Sequence, residues 1–154
     1  MSDPHSRQNR LDQFDSHTAP AERVHATNHV ALRKDEVVPP DSAFIVGVVA
    51  KTRDDLGRYV DDNYQTLAPP LALRGELHER ALTVGHNQAW RDIDFKPRYE
   101  AYLTRSRPQD ELEDLITRII DGRQVWLVGY HDREKKRCHC HLLKSKICEE
   151  LPSA

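Results

Sequence analysis

Phe44-Ile45-Val46-Gly47-Val48-Val49-Ala50 is apolar throughout and rich in β-branched residues. No polar residue interrupts the run, so no alternation separates a wet face from a dry one. A segment of this kind is predicted to be a strand covered on both faces, as in a parallel sheet flanked by helices. Gln124 to Tyr130 is a second such strand. The stretch before it, Pro108 to Asp121, is predicted to be the best helix of the chain. Leu112, Leu115, Ile116, Ile119 and Ile120 recur at i, i+3, i+4, i+7 and i+8, a single apolar stripe. Pro108 opens this helix, Asp110, Glu111, Glu113 and Asp114 complement the positive end of its dipole, and Gly122 follows its end. Helix, buried strand, helix predicts an α/β fold: an open parallel or mixed sheet with helices on both faces. The 154 residues suffice for one such domain.

Residues 1–26 carry apolar residues only singly and predict a disordered tail, leaving residues 27–154 as the folded domain. Asn28–Arg33 reads as an edge strand or a turn of helix, ended by Pro39-Pro40, and Leu56 to Leu67 as a long loop. Pro69-Pro70 starts a helix to about Leu82, with Leu71, Leu73 and Leu77 as its sparse apolar stripe. Gly85-His86-Asn87 is a turn opening a short helix through Trp90. Phe95 to Thr104 is a further helix, and a last one starts near His139. Trp126 reads as core.

The bulk properties exclude several functions. The longest apolar run is far below the roughly 20 residues of a membrane span. No apolar signal segment stands at the N-terminus, so a cytoplasmic location is expected. A net charge of −2 with 9 histidines disfavours a globally basic nucleic-acid binder. All three cysteines, Cys138, Cys140 and Cys148, crowd the C-terminal end, which suits reduced thiols better than a disulfide framework.

In open α/β sheets, ligands bind beyond the carboxyl ends of the strands. Lys51, Thr52 and Arg53 follow the first strand; His131, the Arg133–Arg137 run and Cys138-His139-Cys140-His141 follow the second. Adjacent strands would bring these groups into one electropositive crevice, with a helix N-terminus pointing in. That setting predicts a small anionic ligand such as a phosphate or carboxylate. Cys138, at a helix N-terminus after Lys135, Lys136 and Arg137, is placed to be a thiolate: a nucleophile, a redox thiol or a metal ligand. The bland alternative is an exposed capping residue.

A metal site built on Cys138, Cys140 and His141 is the competing reading, weakened by the lack of a second cysteine pair. Cys148, about two turns beyond His141, would sit roughly 10 Å away and suits the core. His86 and Asn87 are candidate pocket residues, with an N-cap Asn as the alternative. No Gly-rich phosphate loop or nucleophile elbow occurs, and no motif names a cofactor.

From about His25 onward the chain resembles the domain-of-unknown-function 488 family, which includes the YeaO-like proteins. The likeness is carried by Ile45–Val49, Leu67-Ala68-Pro69-Pro70, Leu73, His86-Asn87, Ala89-Trp90, Phe95, Arg98-Tyr99, Tyr102-Leu103, Val125–Tyr130, Cys138-His139 and Leu142-Leu143. Val60-Asp61-Asp62-Asn63 through Pro70 resembles the archaeal-type branch. The resemblance implies an α/β domain with a Cys-His step at the head of the last helix. Many members continue that step with Arg, where this chain has Cys140; Arg137 or Lys144 is then left to hold an anion.

Three functions follow as expectations. One is an enzyme acting on a phosphorylated small molecule or nucleotide, with Cys138 and His139 catalytic and Lys51, Arg53, His86, Asn87, His131 and Arg137 binding the ligand. Another is a non-catalytic module binding nucleic acid or protein through Arg133–Lys146. The third is a metal or redox sensor using Cys138 and Cys140.

Overall fold

The computed structural model describes residues 19–53, 55–130 and 137–152. Its strands are β1 (Val24–Asn28), β2 (Phe44–Gly47), the two-residue β3 (Asp62–Asn63) and β4 (Val125–Gly129). They form one sheet in the order β1-β4-β2-β3 with every pairing parallel. The helices are α1 (His29–Arg33), α2 (Leu71–Val84), α3 (His86–Asp92), α4 (Phe95–Tyr102), α5 (Ser106–Ile120) and α6 (His139–Glu150). The α/β architecture expected from the two apolar runs is present. β1 begins at Val24, inside the segment read as tail, and its five residues pair with β4. Val24 is its one fully buried residue, so the strand has too weak an apolar pattern to stand out.

The sheet is dressed unequally. Phe44, Val46, Val125 and Leu127 face the main core, packed against Leu73 and Leu77 of α2, Trp90, Phe95, Tyr99, Leu112, Leu115 and Ile119, and Leu143 and Ile147 of α6. The opposite face carries a smaller cluster of Leu32, Val49, Leu56 and Val128 beneath α1. Trp126 points to this thinner side, half-buried and stacked on His25 with ring centroids 4.3 Å apart. It is not core, because its neighbours Val125 and Leu127 take the covered face and side chains alternate along a strand.

Two apolar stripes are narrower than the sequence suggests. Leu71 is 73% exposed while Leu73 and Leu77 are buried. Two residues turn a helix by about 200°, which puts Leu71 opposite Leu73. Ile120 is also exposed, at the edge of the stripe formed by Leu112, Leu115 and Ile119. α5 starts at Ser106, so Pro108 lies in its first turn and its missing N–H leaves no bond unmade.

Between β1 and α1 there is no loop. Asn28 ends the strand and caps the helix, its Oδ1 accepting the Ala31 N–H at 2.9 Å. Asn28→Ala removes that acceptor and is expected to cost about 1 kcal/mol, within the usual cap range of 0.5–2. Urea unfolding followed by fluorescence checks it; an unchanged midpoint would show that the cap contributes nothing.

Candidate functional site

β2 and β4 are neighbours, with Gly47 opposite Val128, so their carboxyl ends open side by side. The chain leaving β2 stays tied to the sheet: the Val48 N–H donates to the Val128 carbonyl at 3.1 Å. Asn63 holds the next residue by both backbone groups, donating to the Val49 carbonyl at 2.9 Å and accepting its N–H at 3.3 Å.

β4 ends at Gly129, and α6 returns directly over it. Cys138 is the N-cap of α6; its sulfur accepts the Cys140 N–H at 3.5 Å. A Cβ on residue 129 would lie 2.8 Å from Cys140 Sγ and 3.3 Å from Cys138 Sγ. Glycine is therefore what lets both sulfurs settle on the strand end. Cys138 and Cys140 are both buried, and their sulfurs and a His139 ring nitrogen lie within 4.8 Å of one another.

The His139 Nε2 lies 2.7 Å from the Val48 carbonyl oxygen. A carbonyl only accepts, so Nε2 carries a proton toward Val48 and Nδ1 is the ring nitrogen left for another partner. The edge of the His139 ring contacts Tyr99, centroids 5.7 Å apart. Burial, and then the negative charge of the adjacent Cys140–Cys138 pair, keeps the Tyr99 phenol far above its ordinary value. Thus neutral, it donates to the Leu67 carbonyl at 2.5 Å.

The two thiols diverge. The Cys140 S–H donates to Cys138 and holds it well below its ordinary value; burial opposes this, while His139 and the Cys140 N–H add to it. Cys140 moves far upward for the same reason, reinforced by its own burial and the adjacent negative sulfur. The two titrate as a coupled pair, of which Cys138 is the member that ionises first.

Cys138 and His139 line a cleft of about 450 Å³. Lys51, Arg53, Arg74 and Arg137 supply its cations, and Leu77, Trp90, Phe95 and Tyr130 are among its apolar and aromatic walls. Trp90 and Phe95 stack with centroids 3.8 Å apart. Tyr130 orders the loop after β2: its ring lies under the Arg53 guanidinium, and its hydroxyl accepts the Arg53 N–H and donates to the Lys51 carbonyl.

A family model described as the active DUF488-N3 subclade matches residues 28–151. The chain belongs to the DUF488 family. No curated protein and no solved structure matches it.

This DUF488 chain brings most of the residues named from its sequence to one place. Lys51, Arg53, His86, Arg137, Cys138 and His139 all line the cleft. His131 and residues 133–136 of the basic run lie outside the described residues. The N-cap of α3 is Gly85, and Asn87 is not among the residues lining the cleft. Its Oδ1 accepts the Arg137 N–H at 2.9 Å, while His86 Nε2 donates to the Arg137 carbonyl at 2.8 Å. Together they clasp the residue before Cys138 by both backbone groups. Lys144 stands near His25, on the β1 side, and does not line the cleft.

The donor cluster that could hold a metal is also redrawn. Among the described residues it is Cys138, His139 and Cys140, without His141. Three donors fall one short of a closed structural zinc site, and a metal would have to displace the thiol protons. Arg74, Tyr130 and Tyr99 carry no functional signal of their own in the sequence, where Tyr99 and Tyr130 enter through the family likeness. Arg74 has one positional signal: it sits beside Leu73 on the helix opened by Pro69-Pro70, at the edge of the buried face. Among the described residues no helix is long and apolar enough to cross a membrane.

Proposed function

We propose that the protein is an enzyme acting on a phosphorylated small molecule or nucleotide by nucleophilic catalysis from Cys138. One observation carries this reading: a helix N-cap cysteine, with a second thiol and an imidazole within 4.8 Å of its sulfur, lines a cleft whose rim holds four cations. A thiolate is the nucleophilic form of cysteine, and cations at the cleft mouth select an anionic substrate. An ionised Cys138 needs no base to attack; His139, with Nε2 fixed on the Val48 carbonyl, has Nδ1 left to take the proton of the water that releases the product from the sulfur. Lys51, Arg53 and Arg137 bind phosphate oxygens, and the Trp90–Phe95 wall takes the flat part of the ligand. The matched subclade's description as active agrees with a chemical use of these residues.

Protection of Cys138 from iodoacetamide tests this reading, with inorganic phosphate and AMP as probes. Millimolar AMP is expected to slow labelling severalfold, more than phosphate does, and Arg53→Gln to abolish most of that protection. Protection should fade with salt, as charge pairing at a wet rim does. Equal labelling with and without either probe, in both proteins, would overturn the anionic-substrate assignment.

A further inference from the structure

We propose that Cys138 and Cys140 are a redox pair, oxidised by a hydroperoxide to an intramolecular disulfide and restored by a small dithiol. The proposal rests on Cys138 being the reactive thiolate, as above, and adds a second reaction of the same site. Its grounds are geometric. Both sulfurs lie over the Cα of Gly129, close enough that a single methyl group there would meet both. Cys140 is almost wholly buried, is not among the residues lining the cleft, and has its sulfur within 4.8 Å of that of Cys138. A buried second thiol contributes nothing to ligand binding, yet it is the nearest group to any oxidised form of the first. Cys138 itself lines the cleft, where a small oxidant can reach it.

The steps balance. The Cys138 thiolate attacks the terminal oxygen of the hydroperoxide; the O–O bond breaks, and the departing alkoxide or hydroxide takes a proton from solvent water. The product is Cys138 sulfenic acid and an alcohol or water. The Cys140 sulfur then attacks the sulfenic sulfur, and the hydroxyl leaves as water with the Cys140 proton. Two electrons have passed from the thiol pair to the peroxide. A disulfide requires sulfurs about 2.05 Å apart, reached by rotation of the two side chains over the bare Gly129. An external dithiol reverses the oxidation by thiol–disulfide exchange.

One equivalent of hydrogen peroxide added to the full chain, followed by alkylation and peptide mass spectrometry, tests the pair. The expected product is a single peptide containing both cysteines, lighter by two hydrogens, refractory to alkylation until a dithiol is added. Cys148 should remain alkylatable. In Cys140→Ser the same dose should leave a sulfenic acid trapped by dimedone at Cys138, advancing to sulfinic acid with excess peroxide. Rapid alkylation of Cys138 with no disulfide after peroxide would overturn the redox pair and leave the nucleophile intact. A Cys138 that neither alkylates nor oxidises faster than Cys148 would overturn both. Because the first measurement uses the unaltered protein, it stands even if Cys140→Ser folds poorly.

Discussion

The alkylation rate of Cys138 is expected to stay nearly constant from pH 8 down to pH 5, while that of free N-acetylcysteine falls about tenfold per unit. The sign follows from the direction of the shift. A thiol held well below its ordinary value is already ionised across this range, so lowering the pH removes none of its nucleophile. A free thiol near 8.5 goes from about a quarter ionised at pH 8 to roughly 0.03% at pH 5. The ratio of the two rates should therefore grow roughly 10³-fold over the interval. The ratio is the right quantity, because a low-pKa thiolate is intrinsically a weaker nucleophile and is expected to win in pH profile more than in absolute rate. Peptide mapping after timed quenches separates Cys138 from Cys140 and Cys148, and Cys138→Ser should lose the acid-insensitive signal entirely. A Cys138 rate that declines in parallel with N-acetylcysteine would show that neither the Cys140 thiol nor His139 stabilises the charge.

How much of this arrangement was legible depended on whether the signal was local. The apolar runs around Val46 and Leu127 announce a parallel sheet, and strand-end logic then places Lys51, Arg53 and Cys138 at one mouth. That inference needs only that β2 and β4 be neighbours, as they are. β1 escaped because its pairing comes from β4, and only Val24 of its own residues is fully buried. Trp126 misled for the mirror-image reason: an apolar residue in a strong strand is core only if the face it meets is covered.

The contacts that hold the site's backbone in place are not legible, because they are made across long sequence separations by groups with no pattern of their own. His86 lines the cleft as a pocket group would, and with Asn87 it also grips the Arg137 backbone some fifty residues on. Asn63 does the same for Val49, one residue beyond the carbonyl that orients His139. Backbone clasps of this kind leave no periodicity in a sequence. Cys140 was visible as a departure from the family's usual Arg, but its role was not. Only the fold reveals that the thiol turns inward to donate to Cys138, while Arg74 and Arg137 carry positive charge at the cleft.

Gly129→Ala is expected to damage the site and the fold together, whereas Gly75→Ala should stabilise the protein. Residue 129 is a β-strand position whose added methyl would lie 2.8 Å from Cys140 Sγ, 3.3 Å from Cys138 Sγ and 4.0 Å from the His139 ring. Contact at 2.8 Å is too close to persist, so Cys140 must rotate away or α6 must lift. The second response is resisted by Leu143 and Ile147, which are fully buried one and two turns along that helix. Rotation is then the cheaper response, and it takes the Cys140 S–H from Cys138. Overpacking of this kind costs about 1–3 kcal/mol, read as a lower urea midpoint. With its main hydrogen bond gone, the Cys138 thiol should rise, so its alkylation should regain a dependence on pH between 5 and 8. At Gly75, within α2, an added methyl meets nothing within 4 Å, and replacing a mid-helix glycine should add about 0.5–1 kcal/mol. The contrast separates a general glycine effect from the specific crowding of two sulfurs. If Gly129→Ala kept both the midpoint and the flat pH profile, the methyl would have found room, and the thiol pair would not depend on a bare strand end.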